Sequence, residues 1–195
     1  MQLPNSISLS ATPGQGAVLL FTGLPGAGKS TLSQCLHAHL VAQGHATALL
    51  DGDVLRRGLC ADLGFSEADR DENVRRAAEV ARLMAANGLV VLLALIAPLA
   101  RQRTLLRERV GAPFLEVWCA APLAACEARD PKGLYARARA GTLPGLTGVD
   151  APYETPQQPE LALPTDRLDQ DACLQQLLAL LAQHLPHLAG PARRP

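Results

Sequence analysis

Residues 23–30 read Gly-Leu-Pro-Gly-Ala-Gly-Lys-Ser, a full match to the phosphate-binding pattern G-x-x-x-x-G-K-[ST]. The glycines permit loop geometry that a Cβ would block, so successive amides turn inward onto phosphate oxygens. Lys29 would reach the β- and γ-phosphates, and the Ser30 hydroxyl would ligate Mg²⁺. The triphosphate-binding set is then Gly23, Leu24, Pro25, Gly26, Ala27, Gly28, Lys29, Ser30 and Thr31. Downstream, Asp51-Gly52-Asp53 supplies two carboxylates. One of them would hold Mg²⁺ through water or accept a proton from an attacking hydroxyl, while Asp51 equally suits the cap of a following helix. Gly52 between them suits a tight exit turn. From 53 to 76 the chain carries Arg56, Arg57, Arg70, Arg75 and Arg76, guanidinium forks suited to phosphate or sulfate oxygens. An anionic acceptor follows.

These residues need a frame. Short, nearly continuous apolar runs at 17–22, 46–50, 89–96 and 114–120, with a weaker one at 161–163, read as strands covered on both faces. Helical periods separate them, at about 30–43, 69–87, 101–110, 123–129, 134–140 and 171–184. The first stops at Gly44 and the second at Gly88, with Val74, Ala77, Ala78, Ala81 and Met84 as its apolar stripe. The expected fold is α/β: a mostly parallel sheet flanked by helices in a three-layer sandwich of the P-loop NTPase type. The phosphate loop lies between the first strand and the first helix, as its chemistry requires. A single domain over 16–188 is expected, with flexible ends at 1–15 and 189–195. Residues 141–160, rich in Gly and Pro and without period, are a lid candidate.

On the helix from about 69, Arg70 and Asn73 share a face as acceptor ligands, whereas Glu72 with Arg76 and Arg75 with Glu79 have the i,i+4 spacing of surface pairs. Phe65, in a Gly-containing loop, offers a ring on which a planar base could stack. Lys132, in the turn Arg129-Asp130-Pro131-Lys132-Gly133, is available for a negative group.

Composition removes whole classes of function. Eighteen Lys plus Arg cancel eighteen Asp plus Glu, so no global field draws the chain to nucleic acid or to an acidic membrane. The longest uncharged apolar run, Gly88 to Ala100, is shorter than the roughly 18 residues of a membrane helix and contains Pro98. No secretory pattern opens the sequence, which favours a cytoplasmic address. Five cysteines without a C-x-x-C pair fit reduced, mostly buried thiols. The five scattered histidines suit the surface better than a metal. A GTPase would need N-K-x-D, which is absent. A small-molecule kinase is the economical reading.

The chain resembles the adenylylsulfate kinases. The resemblance rests on GLPGAGKST at 23–31, DGDVLRRGLCADLGFSEADRDENVRR at 51–76, EVA at 79–81, CEARDPKGLYARARAG at 126–141 and LTGVDAPYE at 146–154. It implies transfer of the ATP γ-phosphoryl group to the ribose 3′-hydroxyl of adenylyl sulfate, with Mg²⁺. By the same resemblance, Asp53 is the carboxylate near the acceptor hydroxyl and metal, and with Lys29 forms the catalytic pair. Arg56, Arg70, Asn73, Ile96 and Lys132 are substrate ligands, Phe65 is one face of an adenine sandwich, and the lid around Leu146 closes over the nucleotides. It is compatible with a homodimer, in which the last helix packs on a partner. Three positions depart from the family pattern. Leu146 stands where a second aromatic face is usual, a loss on the order of 1 kcal/mol in acceptor binding. Ala97 replaces a serine, which removes a phosphoserine form and leaves direct transfer. Ala100 removes a charge that Arg101 or Arg103 is close enough to replace. Two alternatives are a kinase for another small anionic acceptor, such as a nucleoside monophosphate or sugar acid, and a weakly active nucleotide-binding partner subunit. The second would show a broken catalytic set, yet Lys29, Ser30 and Asp53 are all present.

Overall fold

The computed structural model describes residues 16–192; the expectation for 1–15, and for the last three residues of the tail, lies outside them. Five strands, β1 (Ala17–Thr22), β2 (Thr47–Asp51), β3 (Val90–Ala94), β4 (Phe114–Cys119) and β5 (Leu161–Leu163), form one sheet in the order β2-β3-β1-β4-β5. Every neighbouring pair is parallel, so the sheet is wholly rather than mostly parallel. The helices are α1 (Lys29–Ala42), α2 (Gly52–Arg57), α3 (Glu67–Ala86), α4 (Ala100–Val110), α5 (Leu123–Arg129), α6 (Leu134–Arg139) and α7 (Gln170–His184), followed by a 3-10 turn, Pro186–Leu188.

Alternation along the buried strands builds two cores. Leu19, Phe21, Leu115 and Val117 meet α1 and α7 through Leu36, Leu40, Leu177 and Leu181. Val18, Leu20, Val91 and Leu93 meet α3 and α4 through Val74, Ala77, Ala78, Ala81 and Leu106. Each fully buried Leu or Val contributes about 1.5–3 kcal/mol, so both faces of the sheet are covered and the expected three layers result. The alanine stripe lets α3 lie close to the chain entering β1. A Cβ on Gly16 would come 2.0 Å from the Ala85 carbonyl oxygen.

One helix start differs from the expectation, and one short helix is additional to the expected periods. The α3 helix begins at Glu67, because the Ser66 hydroxyl accepts from the Asp69 amide at 3.1 Å and so caps it two residues earlier. The short α2 opens directly at Gly52, with Asp51 as its cap accepting from the Asp53 amide at 2.9 Å. Gly52 is therefore no exit turn. It is small because a Cβ there would meet Leu95 Cδ2 at 3.0 Å and the Ala94 carbonyl oxygen at 3.4 Å. Beyond the 3-10 turn, Ala192 N donates to the Gln43 carbonyl at 2.8 Å, and the Gly190 carbonyl lies 2.7 Å from His45 Nε2. Those tail residues lie against the end of α1.

Candidate active site

The carboxyl ends of β1, β2 and β3 point to one edge of the sheet, where open α/β folds bind ligands. The β1 end runs into the phosphate loop. Gly26 and Gly28 adopt φ of +77° and +95°, which glycine accepts without the steric cost of a Cβ. Lys29 Nζ turns back on the loop, donating to the carbonyls of Gly23 at 3.0 Å and Leu24 at 2.8 Å. Burial pushes its pKa down to about 8, so the ammonium is held in a pocket poor in solvent and without a contacting carboxylate.

The β2 end brings the two carboxylates into distinct surroundings. Ser30 Oγ donates to Asp51 Oδ2 at 2.5 Å, whereas exposed Asp53 forms an ion pair with Lys132. Thus Asp51, rather than the expected Asp53, stands against the Ser30 hydroxyl. A hydroxyl and a carboxylate within hydrogen-bond reach are the hard oxygen donors that Mg²⁺ selects, so the residues fit that ion. Among the described residues, no three His, Cys, Asp or Glu side chains converge to hold a metal. The cysteines are free; Cys60, Cys119, Cys126 and Cys173 are buried, and burial pushes the Cys119 thiol up to about 12.

The acceptor ligands expected from α2, α3 and the lid do come together. Phe65 is 68% exposed, with the Arg56 guanidinium 4.5 Å above its ring. Arg56 also donates to the Gly64 carbonyl at 2.7 Å. One guanidinium joins this loop to the lid candidate: Arg70 donates to the carbonyls of Phe65 (2.9 Å) and Gly145 (2.6 Å) and to Thr147 Oγ1 (3.2 Å). Asn73 is buried beside it, and its Oδ1 has no partner, an orphan acceptor that costs roughly 1–3 kcal/mol until something donates to it. Leu146 is buried in the α1-side core, packed with residues that include Leu24 and Leu123. The segment at 141–160 holds no helix or strand beyond an isolated bridge, Thr147 with Ala151. A cleft of about 590 Å³ opens between this segment and the β4 end, lined by Leu24, Trp118, Leu123, Val149 and Tyr153, and it contains none of the expected catalytic groups.

The surface pairs are rearranged. Arg75 bonds Glu72 at 2.6 Å rather than Glu79, whose partners are Arg82 and Arg109. Arg76 bonds Glu72 as expected and also clasps Asp62.

The β3 end holds Ile96, an expected acceptor ligand, together with Thr22, Tyr153 and Glu116, which sequence reasoning missed. Ile96 is half-buried, and its carbonyl accepts from Thr22 Oγ1 at 2.6 Å. With its hydrogen so used, Thr22 accepts from Tyr153 Oη at 3.0 Å; burial pushes that phenol up to about 12. Ala97 has φ +40° immediately before Pro98, a conformation disfavoured twice over for an alanine. Buried Arg103 holds it, donating to the carbonyls of Ala97 (2.9 Å), Pro98 (3.2 Å) and Glu154 (2.8 Å) and pairing with Glu116 at 2.9 Å. Arg101 pairs with Asp71 and Glu67. Neither guanidinium turns to the acceptor site, so neither replaces the charge missing at Ala100. Glu116, a lone charge inside an apolar strand, was the signal that a buried cation must face it.

Comparison with known proteins gives a consistent set. The family model described as adenylylsulphate kinase matches residues 15–164. An adenylyl-sulfate kinase of Citrobacter koseri is 55% identical over 170 residues, covering 87% of this chain and 84% of its own. That of Escherichia coli K12 is 54% identical over 171 residues, covering 87% and 85%. Among solved structures, an APS kinase of Mycobacterium tuberculosis in complex with AMPPNP and APS superposes with a TM-score of 0.83 at 48% identity, over 87% of this chain and 99% of that one.

Proposed function

This chain belongs to the adenylylsulphate kinase family, and from that premise we propose that its site transfers the γ-phosphoryl group of ATP to the ribose 3′-hydroxyl of adenylyl sulfate. The products are 3′-phosphoadenylyl sulfate and ADP. The bond from the β–γ bridging oxygen to the γ-phosphorus breaks, the acceptor oxygen takes that phosphorus, and the hydroxyl proton leaves. The observation that carries this reading is the meeting of a phosphate cradle with an anion- and base-binding wall across the Asp53–Lys132 ion pair.

Each residue then has work to do. The loop amides and Lys29 neutralise the β- and γ-phosphates; Lys29 must be charged for this, which a bound polyphosphate favours. Ser30 and Asp51 would hold Mg²⁺, with Asp53 joining through water, and the ion would supply charge neutralisation on the phosphates. Asp53, released by Lys132, accepts the proton of the 3′-hydroxyl or orients it, while Lys132 turns to the acceptor phosphate or the transferring group. Arg56, Arg70 and Asn73 bind the acceptor, and a donor from it satisfies the orphan Oδ1 of Asn73. Phe65 stacks on the adenine, and Leu146 backs the lid from within the core. With Ala97 in place of a hydroxyl, transfer is direct. Phosphoryl transfer asks mainly for in-line positioning and charge neutralisation, which these parts provide. No described helix is long and apolar enough to cross a membrane. A homodimer is the expected assembly, checked by light scattering.

The test is ADP release with Mg-ATP and adenylyl sulfate, run beside AMP and gluconate, with Asp53→Ala as control. Turnover on adenylyl sulfate alone, lost in the variant, is expected. Turnover on AMP or gluconate in its place overturns the acceptor assignment.

A further inference from the structure

The phosphate loop owes its shape to side chains far from it in sequence. Five successive carbonyls, from Gly23 to Ala27, each accept from a side chain. Lys29 takes the first two. Tyr135 Oη, at the buried start of α6, donates to the Pro25 carbonyl at 2.9 Å. Arg129, at the end of α5, donates to the Gly26 carbonyl at 3.2 Å and to the Thr165 carbonyl at 2.5 Å. Thr165 Oγ1, just beyond β5, donates to the Ala27 carbonyl at 2.8 Å.

A peptide unit is planar, so fixing a carbonyl fixes the direction of the next residue's N–H. The Pro25 carbonyl sets the Gly26 amide, and the Ala27 carbonyl sets the Gly28 amide. Neither of these two amides donates to a protein acceptor among the described residues, whereas the Ala27 amide between them is spent on the Leu24 carbonyl at 3.1 Å. Of the amides that follow these five carbonyls, those of Leu24, Gly26 and Gly28 are left for a ligand; the first belongs to a peptide held by Lys29, and the other two to the peptides anchored by neutral hydroxyls. Glycine at 26 and 28 leaves both peptides free to flip without steric cost, so the anchors decide which way they point.

We propose that Tyr135 and Thr165 are positioning residues of the phosphate cradle, holding the Pro25 and Ala27 carbonyls back so that the Gly26 and Gly28 amides face the polyphosphate. The assignment rests on the reading of residues 23–30 as a triphosphate site. It makes polyphosphate affinity depend on two hydroxyls that touch no phosphate. A nest of amides preorganised in this way avoids reorganisation when charge arrives, which is what makes such donors effective.

The experiment uses the whole protein and inorganic tripolyphosphate with Mg²⁺, titrated by calorimetry, with ADP as a second probe. Tyr135→Phe and Thr165→Val each remove one donor and keep the side-chain shape, and Thr165→Ser restores the hydroxyl. Loss of one aligned hydrogen bond predicts roughly fivefold weaker tripolyphosphate and ADP binding in each variant. Recovery to within about twofold in Thr165→Ser and an unchanged KM for adenylyl sulfate are expected with it. A merely structural role would lower the melting temperature and leave the polyphosphate affinity alone. Binding by both variants within about twofold of the parent protein overturns the proposal. Failure of the parent protein to bind either tripolyphosphate or Mg-ATP overturns the triphosphate reading and the proposal with it.

Discussion

Removing the Arg103 guanidinium should unsettle both the fold and the acceptor side of the site. Arg103 is 5% exposed and serves three carbonyls and one carboxylate. Arg103→Met leaves Glu116 buried opposite an apolar side chain, with Arg107 as its nearest other cation at 3.9 Å. Breaking a buried pair from one side costs about 3–5 kcal/mol. In a chain of this length that lowers the melting temperature by roughly 10 °C. Burial already raises the Glu116 pKa above its unfolded value, against the pull of Arg103 and Arg107. A raised carboxylate binds a proton in the folded state that the unfolded state has released, so stability increases as pH falls through the raised folded value toward the unfolded one. Losing Arg103 raises that pKa further, and the deficit of the variant should narrow between pH 7.5 and about 5. The double variant Arg103→Met/Glu116→Gln should be more stable than the sum of its singles by at least about 1 kcal/mol. The same change frees Ala97, whose backbone strain is of order 1–3 kcal/mol. Relaxation of that turn should raise KM for adenylyl sulfate about fivefold and leave KM for ATP within about twofold. Denaturant melts across pH and steady-state kinetics read all of this. A deficit under about 1 kcal/mol, or one that does not change with pH, would refute the reasoning.

Three further outcomes follow from other parts of the site. With its pKa lowered to about 8, Lys29 is charged below that value and neutral above it, so ATP should bind roughly tenfold more weakly at pH 9 than at pH 7. Calorimetry on the parent protein and on Lys29→Arg checks this, since the arginine variant should lose the dependence. Gly148→Ala places a Cβ 2.8 Å from Leu24 Cδ2 at a φ of +93°, and should cost about 1–2 kcal/mol in a urea melt. Asp51→Asn keeps a side-chain oxygen to cap α2 but loses the charge beside Ser30, so the Mg²⁺ concentration for half-maximal turnover should rise about tenfold, roughly 1.4 kcal/mol.

The features legible in the sequence are those written in short stretches. The loop at 23–30 declares itself because each residue type in it does a separate task, and the strands because fully covered parallel strands read as apolar runs. The α2 helix escaped because six residues beginning with glycine carry no period. Gly52 was misread because a glycine needed for a close approach and one needed for a turn look alike in sequence. On α3, side-chain spacing permitted Arg75 to reach Glu79, but Arg109 arrives from α4 to take it, and only the fold decides between them. Arg70 and Asn73 were found from their shared face, whereas Arg103 was not, since nothing local says that a helical arginine points inward. Tyr135 and Thr165 lie more than a hundred residues from the carbonyls that they hold, and no pattern of spacing marks such bonds.

The Ser30–Asp51 and Thr22–Ile96 hydrogen bonds and the Asp53–Lys132 ion pair have a further consequence, because each crosses from one half of the catalytic edge to the other. On one side lie the loop and its anchors on α5, α6 and the β5 exit; on the other lie α2, α3 and the turn after β3. The lid adds further ties, from Arg70 to Gly145 and Thr147 and from Arg103 to Glu154, so the half that chooses the acceptor can be rebuilt around the donor half where those ties are kept. Selectivity in such an enzyme is a replaceable part, and the substitutions that would retrain it belong between residues 53 and 100 and at Lys132.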